Sequence, residues 1–251
     1  MVEWMQKTQE RAWHMEKRNI LIANDDGIGA EGIARLAAAA LPFGRVFVAA
    51  PSSQCSGMSQ KLTIRGELPV TEAPFPVPVE AAWAIGGTPA DCVKAAIKAL
   101  LPVRPDVVLT GINRGYNAGF DIAYSGTVGA ALEAVMNGVP AIAFSAHENG
   151  DPGALEAYLP VVLKELLTRP AEPGCVWNVN FPDCAAAQCK GVLYGRRPAA
   201  CSFYDNDYVR TGDALSIRVT NPGPDRCREG SDIHAVLHGY VSVGEIRSPL
   251  F

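Results

Sequence analysis

The sequence predicts an α/β protein with a doubly wound, mostly parallel, Rossmann-like sheet and a C-terminal β-rich arm or hairpin extension. Two observations within residues 19–182 favour this fold class. Short apolar runs of strand length alternate with segments of helical periodicity, and most apolar runs end in clusters of Gly, Asn, Asp or Ser. Strands that alternate with helices predict βαβ units, which build parallel sheets.

The first unit of the predicted sheet lies in residues 19–50. Residues 19–23 and 45–50 have the length and continuous apolar character of buried strands. Residues 30–41 between them carry apolar side chains at helical spacing. The alternation continues with strands predicted at 81–85, 107–112, 140–145 and 176–181, helices at 88–101, 127–136 and 155–167, and a short strand or hairpin at 61–70.

The helix predicted at 88–101 has a specific start signal. Thr88 suits the N-cap, Pro89 the first helical position, and Asp91 the third position of a capping box.

The character of the chain changes after residue 182. Alternating segments such as ALSIRVT are separated by turn signals and predict antiparallel strands or arms. We therefore expect an N-terminal extension (1–18), an α/β catalytic core (19–182) and a C-terminal β-rich oligomerisation or arm region (183–251). His234 and His238 have helical spacing, but their strand-like surroundings favour surface positions.

Composition and charge exclude several classes of protein. A chain of 251 residues, 48% of them hydrophobic, can bury a sizeable core. The net charge of −4 argues against a reader of duplex nucleic acid. No apolar run approaches the ~18–20 residues that cross a bilayer, and the N-terminus lacks the apolar stretch of a secretory signal. Seven cysteines without a C-x-x-C pair favour reduced thiols. We expect a cytoplasmic protein without a membrane partner.

Four polar clusters lie at the ends of predicted strands. They comprise residues 24–27 (NDDG), 52–57, 86–89 and 113–126. In doubly wound folds, ligands bind beyond the carboxyl ends of the strands. These loops therefore predict one binding site at a common edge of the sheet.

The first cluster contains the adjacent aspartates Asp25 and Asp26. Two carboxylates held close together repel each other, and a divalent cation removes the repulsion. Carboxylates with Ser or Asn oxygens suit Mg²⁺, Mn²⁺ or Ca²⁺. The alternative is that Asp25 and Asp26 cap the following helix, as is common at βα turns.

The last cluster leads into a helix through Ser125, Gly126 and Thr127. Free backbone N–H groups and the helix dipole at such a start favour an anion such as phosphate. The alternative is that Ser125 or Thr127 is a plain N-cap. A metal ion beside a phosphate site implies phosphoryl chemistry.

Four motifs resemble the SurE (survival protein E) family of metal-dependent nucleotidases. They are N-D-D-G, A-P-x-x-x-x-S-G, G-T-P-A-D-C-V and G-I-N-R-G-x-N-x-G-x-D-x-x-x-S-G-T-V-G-A-A. The resemblance is dense from 19 to 145 and extends weakly to N-V-N-F-P (178–182) and G-Y-V-S-V (239–243). It implies an acid-phosphatase-like phosphoric monoester hydrolase that acts on nucleoside 5′- and 3′-monophosphates.

The resemblance also implies a set of site residues. One divalent metal per subunit, Mg²⁺ or Mn²⁺ (or Ca²⁺ in a structure), would be bound by Asp25, Asp26, Ser56 and Asn113. The two aspartates are the expected catalytic residues. The phosphate side would be lined by Asn24, Gly57, Asn117, Ser125, Gly126 and Thr127. A homodimer or homotetramer is implied, in which a C-terminal arm reaches a neighbour.

Some features depart from the family pattern. Eighteen residues precede the first strand, and we interpret residues 1–14 as an upstream extension. Ser231-Asp232 and Gly244-Glu245-Ile246 stand where relatives often have T-D and T-P-L. A phosphatase with an aspartyl nucleophile is disfavoured, because such enzymes typically carry D-x-D-x-T after the first strand and this chain has N-D-D-G there. A nucleotide-binding sensor or scaffold without turnover stays as the alternative function.

Overall fold

A nine-stranded, mostly parallel sheet organises the described part of the chain. The structure is a computed structural model that describes residues 18–169, 171–220 and 227–248. The strands are β1 (Arg18–Ala23), β2 (Gly44–Pro51), β3 (Val70–Glu72), β4 (Ala81–Ile85), β5 (Val107–Arg114), β6 (Ala141–Ala146), β7 (Cys175–Phe181), β8 (Val192–Leu193), β9 (Asp205–Thr211), β10 (Ala214–Thr220) and β11 (Val241–Arg247). Their order in the large sheet is β3-β4-β2-β1-β5-β6-β7-β11-β8, with β3 and β11 antiparallel to β4 and β7. The predicted fold class is confirmed.

Helices cover both faces of this sheet. They are α1 (Glu31–Ala40), α2 (Pro89–Ala95), α3 (Gly126–Met136), α4 (Gly153–Thr168) and α5 (Asp232–Leu237). In β1, Ile20 and Ile22 pack in the core formed with α1 and α4, whereas Leu21 and Ala23 pack in the core formed with α2 and α3. Both faces of β1 are thus buried, which explains its continuous apolar sequence.

The capping box predicted for α2 is present. Thr88 accepts a hydrogen bond from the Asp91 N–H, and the Asp91 carboxylate accepts one from the Thr88 N–H. Asp91 also accepts from the N–H and hydroxyl of Thr63 at 2.9 and 2.8 Å. The strand or hairpin predicted over 61–70 is wrong except for Val70, because residues 61–63 bond to this helix start and not to a neighbouring strand.

The C-terminal region is not only an arm. β11 pairs with β7 and β8 and so completes the large sheet. Residues 232–237 form helix α5, capped by Ser231, and the stacked rings of His234 and His238 lie 4.0 Å apart. The prediction of strand-like surroundings for these histidines is therefore wrong. Their four-residue spacing was the correct signal.

Strands β9 and β10 form a separate antiparallel hairpin, as the predicted arm requires. Tyr208 faces Ile217 and Arg210 faces Leu215 across the hairpin. Directly opposed residues share a face, and alternate residues do too. One face therefore carries Tyr208, Leu215, Ile217 and Val219, which are 58–62% exposed.

Part of the predicted domain division lies outside the described residues. Of the N-terminal extension (1–18), only Arg18 is described, and it is the first residue of β1. The proposed upstream segment 1–14 is likewise outside. Within the described ranges, no helix combines the length and apolar character needed to cross a membrane.

Candidate active site

An open cleft of about 630 Å³ lies at the carboxyl ends of β1 and β5. It brings together six of the residues predicted from sequence, namely Asp25, Ser56, Gly57, Asn113, Asn117 and Ser125. Other lining residues are Arg114, Gly115, Tyr116, Asp121, Tyr124, Glu148, Ser202, Tyr204, Asp205, Asn206 and Tyr208. The cleft is polar and open to solvent, which suits a charged ligand.

The chain bends sharply where β1 ends. Gly27 has φ +96°, a conformation that residues with a side chain rarely adopt. The Asn24 amide donates to the Gly27 carbonyl at 2.8 Å, and the Cys55 N–H donates to the Asp25 carbonyl at 2.7 Å. The loop after β1 is thereby joined to the loop after β2.

Asp25 is held at the start of helix α3. Its carboxylate accepts hydrogen bonds from the Thr127 hydroxyl at 2.6 Å and the Thr127 N–H at 3.2 Å. Asp25 is 3% exposed, and this burial raises its pKa to about 6, against the opposing effect of the Thr127 hydrogen bonds. Among the described residues, no Lys or Arg side chain pairs with Asp25.

Asp26 points to a different element. Its carboxylate accepts a hydrogen bond at 3.2 Å from the Arg114 N–H at the end of β5. Burial raises the pKa of Asp26 as well, and its charge contributes to the raised pKa of Asp25. Helix α1 begins at Glu31 with Ala30 as its N-cap and no side-chain cap. The alternative that these aspartates cap the following helix is therefore wrong.

Ser56 and Asn113 complete the predicted set of ligands. The Asn113 amide nitrogen donates to the Gly115 carbonyl at 2.8 Å, which leaves the amide oxygen to accept a cation. The β5–β6 register shifts between Thr110 and Asn113, and such irregularities re-aim side chains near functional sites.

The donor chemistry of these side chains fits a hard divalent ion. Every candidate ligand offers oxygen, and the buried Asp25 carboxylate lacks a cationic side-chain partner in the described ranges. The Asn24 amide oxygen is also buried there without a hydrogen-bond partner. No cluster of three His, Cys, Asp or Glu residues suited to a metal occurs in the described part. Oxygen donors of this kind suit a hard divalent cation.

The predicted phosphate residues divide into two groups. Gly57, Asn117 and Ser125 line the cleft, whereas Asn24, Gly126 and Thr127 do not. The Thr127 N–H is not free for phosphate, because it donates to Asp25. A Cβ on Gly126 would lie 2.9 Å from the Asp25 Cβ, so this glycine permits the close packing of α3 against β1.

Sequence reasoning missed the residues that hold Asn117. Its N–H donates to the Asn180 amide oxygen at 2.9 Å, and its carbonyl accepts from the amides of Asn178 and Asn180. The Asn117 amide donates to the Ser145 hydroxyl at 2.8 Å. Asn178 and Asn180 alternate within the fully buried β7. Two amides in a buried strand were the available signal, since buried polar groups need partners.

Asp232 was also missed. Its carboxylate accepts from the N–H groups of Gly119, Ala199 and Ile233 at 2.7–2.9 Å. Asp121 accepts from the N–H groups of Phe203 and Tyr204. The loop over 113–126 is thus tied to the C-terminal third of the chain.

Comparison with known proteins decides the family. The sequence profile of the family described as Survival protein SurE matches residues 20–201. The chain belongs to the SurE family.

SurE relatives match over most of their length. A protein of Pelotomaculum thermopropionicum named 5′-nucleotidase SurE is 49% identical, with 92% of this chain and 90% of that protein covered. A protein of Synechococcus sp. with the same name is 38% identical, with 92% of each covered. The crystal structure of a SurE protein from Aquifex aeolicus has a TM-score of 0.77 at 34% identity, covering 91% of this chain and 93% of the other.

The profile match spans every site residue predicted from the SurE resemblance. It ends at residue 201, before the β9–β10 hairpin and Asp232. The contacts of Asp232, Phe203 and Tyr204 with the loop over 113–126 are therefore known from the structure and not from the family match.

We expect Asp232→Asn to weaken the link between α5 and the loop over 113–126. An amide oxygen accepts hydrogen bonds more weakly than a carboxylate oxygen does. The amide NH₂ group would also face at least one of the three N–H groups, donor against donor. The free energy of unfolding should fall by about 1–3 kcal/mol, measured by urea denaturation. Glu229→Gln, an exposed charge change nearby, is the control. Equal stability of the two variants would contradict the role assigned to Asp232.

Proposed function

We propose that the chain is a metal-dependent phosphomonoesterase that hydrolyses nucleoside 5′- and 3′-monophosphates to nucleoside and phosphate. The observation that supports this proposal most directly is the buried Asp25 carboxylate, which has no cationic side-chain partner among the described residues. It lines the same open polar cleft as Ser56 and Asn113. The relatives named 5′-nucleotidase SurE support the same reaction. Seven free cysteines support a cytoplasmic location.

Four oxygen-bearing side chains would hold one divalent ion, Mg²⁺ or Mn²⁺, in each subunit. They are Asp25, Asp26, Ser56 and Asn113. When bound, such an ion supplies Lewis-acid polarisation of the phosphate group and of water. Thr127 keeps the Asp25 carboxylate in place through two hydrogen bonds, so this ligand needs no rearrangement on binding.

The chain also offers hydrogen-bond donors to the phosphate group. The Ser125 hydroxyl oxygen accepts from the Val128 N–H at 3.0 Å, so its proton remains available to a ligand oxygen. Gly57 has φ +73°, and a Cβ there would meet nothing within 4 Å. Its backbone is therefore open to close approach by a phosphate oxygen.

The first test is phosphate release from a panel of nucleoside 5′- and 3′-monophosphates. Chelator-stripped protein should release no phosphate, and added Mn²⁺ or Mg²⁺ should restore release. Asp25→Asn should keep release at background with either ion, because a neutral amide replaces the buried carboxylate. Wild-type turnover by Asp25→Asn would contradict the site.

The sensor or scaffold alternative predicts a different outcome. In that case folded wild-type protein binds nucleoside monophosphate, measured by calorimetry, but releases no phosphate with any divalent ion. That result would overturn the proposed hydrolysis while leaving the cleft as a nucleotide-binding site.

We propose further that the β9–β10 hairpin binds a second copy of the chain, in a homodimer or homotetramer. The face that carries Tyr208, Leu215, Ile217 and Val219, together with Asn206 and Arg210, presents exposed apolar side chains in the isolated chain. A two-stranded hairpin is marginal by itself in water, and clustered exposed apolar side chains mark contact surfaces.

Ile217→Asp should lower the molar mass measured by light scattering after size exclusion. The charge would be desolvated in the apolar contact. Ser216→Asp places the same charge on the opposite face of the hairpin and should leave the mass unchanged. A wild-type mass for both variants, or a monomeric wild type, would contradict this contact.

A further inference from the structure

The two segments that flank the β9–β10 hairpin carry a pair of cysteines. The sulfur atoms of Cys201 and Cys227 lie 3.3 Å apart, although the residues are 26 positions apart in the chain. Both are free thiols. Because a disulfide requires about 2.05 Å, the sulfurs need to approach by only about 1.3 Å to form the bond.

Both cysteines line a cavity of about 760 Å³. Three arginines (Arg196, Arg197 and Arg228) and one acidic residue (Glu229) line the same cavity, so positive charge predominates there. These arginines attract anions, which favours access by a small anionic reagent. Cys201 is half-buried, whereas Cys227 is buried, and burial together with the adjacent Cys201 thiol raises the pKa of Cys227. Cys201 is therefore the thiol that reacts first with a reagent in the cavity.

We propose that Cys201 and Cys227 are a modification site that forms a reversible intrachain disulfide by exchange with a small anionic disulfide. The Cys201 thiolate attacks one sulfur of the reagent and releases one thiolate. The Cys227 thiol then loses its proton and attacks the Cys201 sulfur, releasing the second. Two protein thiols are oxidised while one small disulfide is reduced to two thiols. This property goes beyond the proposed hydrolysis.

The bond would join the two ends of the segment that contains the hairpin. The Cys201 carbonyl accepts a hydrogen bond at 3.0 Å from the Phe120 N–H, and the adjacent Ser202 lines the catalytic cleft. The disulfide would therefore form at Cys201, the residue next to cleft-lining Ser202 in the sequence. It would also join the two ends of the segment that contains the proposed contact hairpin. Reversible disulfides of this kind are the type found in reducing compartments.

The test uses the reduced full-length protein and glutathione disulfide as the probe. After reaction, acid quenching and denaturation, the number of free thiols should fall by two. Mass spectrometry of proteolytic peptides should identify the Cys201–Cys227 link, and dithiothreitol should restore all thiols. Cys227→Ser should instead retain glutathione on Cys201. Cys189→Ser keeps the pair and should still lose two thiols.

Three outcomes would overturn the proposal. The first is an unchanged number of thiols, and the second is a mixed disulfide that persists on Cys201 in the wild type. The third is a link between other cysteines, such as Cys184 and Cys189. Because none of these measurements depends on phosphate release, failure of this proposal is distinguishable from failure of the proposed function.

Discussion

The structure of the site depends on one interaction, the buried Asp25 carboxylate held by the hydroxyl and N–H of Thr127. A buried charge is costly unless hydrogen bonds or an opposite charge compensate it. The interaction joins the end of β1 to the start of α3, and it requires a glycine at 126 because a side chain there would meet Asp25. Hydrogen bonds from Thr127 compensate only part of the cost of burying the Asp25 charge. A bound cation would compensate the rest, so this carboxylate is a suitable cation ligand.

The rest of the cleft is positioned by distant parts of the chain. Asn180 on β7 binds the backbone of Asn117, and Asp232 at the start of α5 binds the backbone of Gly119. The Gly- and Asn-rich loop has little regular structure of its own, so these contacts determine its shape. Residues after 182 consequently help to position the candidate cleft as well as complete the sheet.

Much of the core and cleft was predictable from the sequence, because short-range signals dominate there. The apolar runs located the strands, and the spacing of Thr88 and Asp91 identified a capping box that is present. Long-range pairing was not predictable. Nothing near Asp25 in the sequence indicates that its hydrogen-bond partner is Thr127, which lies 102 positions further along the chain. For His234, helical spacing was outweighed by the strand-like segments around it, and α5 was missed.

The most direct test compares Thr127→Val with Thr127→Ser in Mn²⁺-dependent phosphate release from a nucleoside monophosphate. Serine keeps the hydroxyl that donates to Asp25, whereas valine has nearly the same shape and lacks it. The account predicts that Thr127→Ser retains most of the wild-type rate and that Thr127→Val loses most of it while remaining folded by circular dichroism. Wild-type release by folded Thr127→Val would contradict the central role of this hydrogen bond.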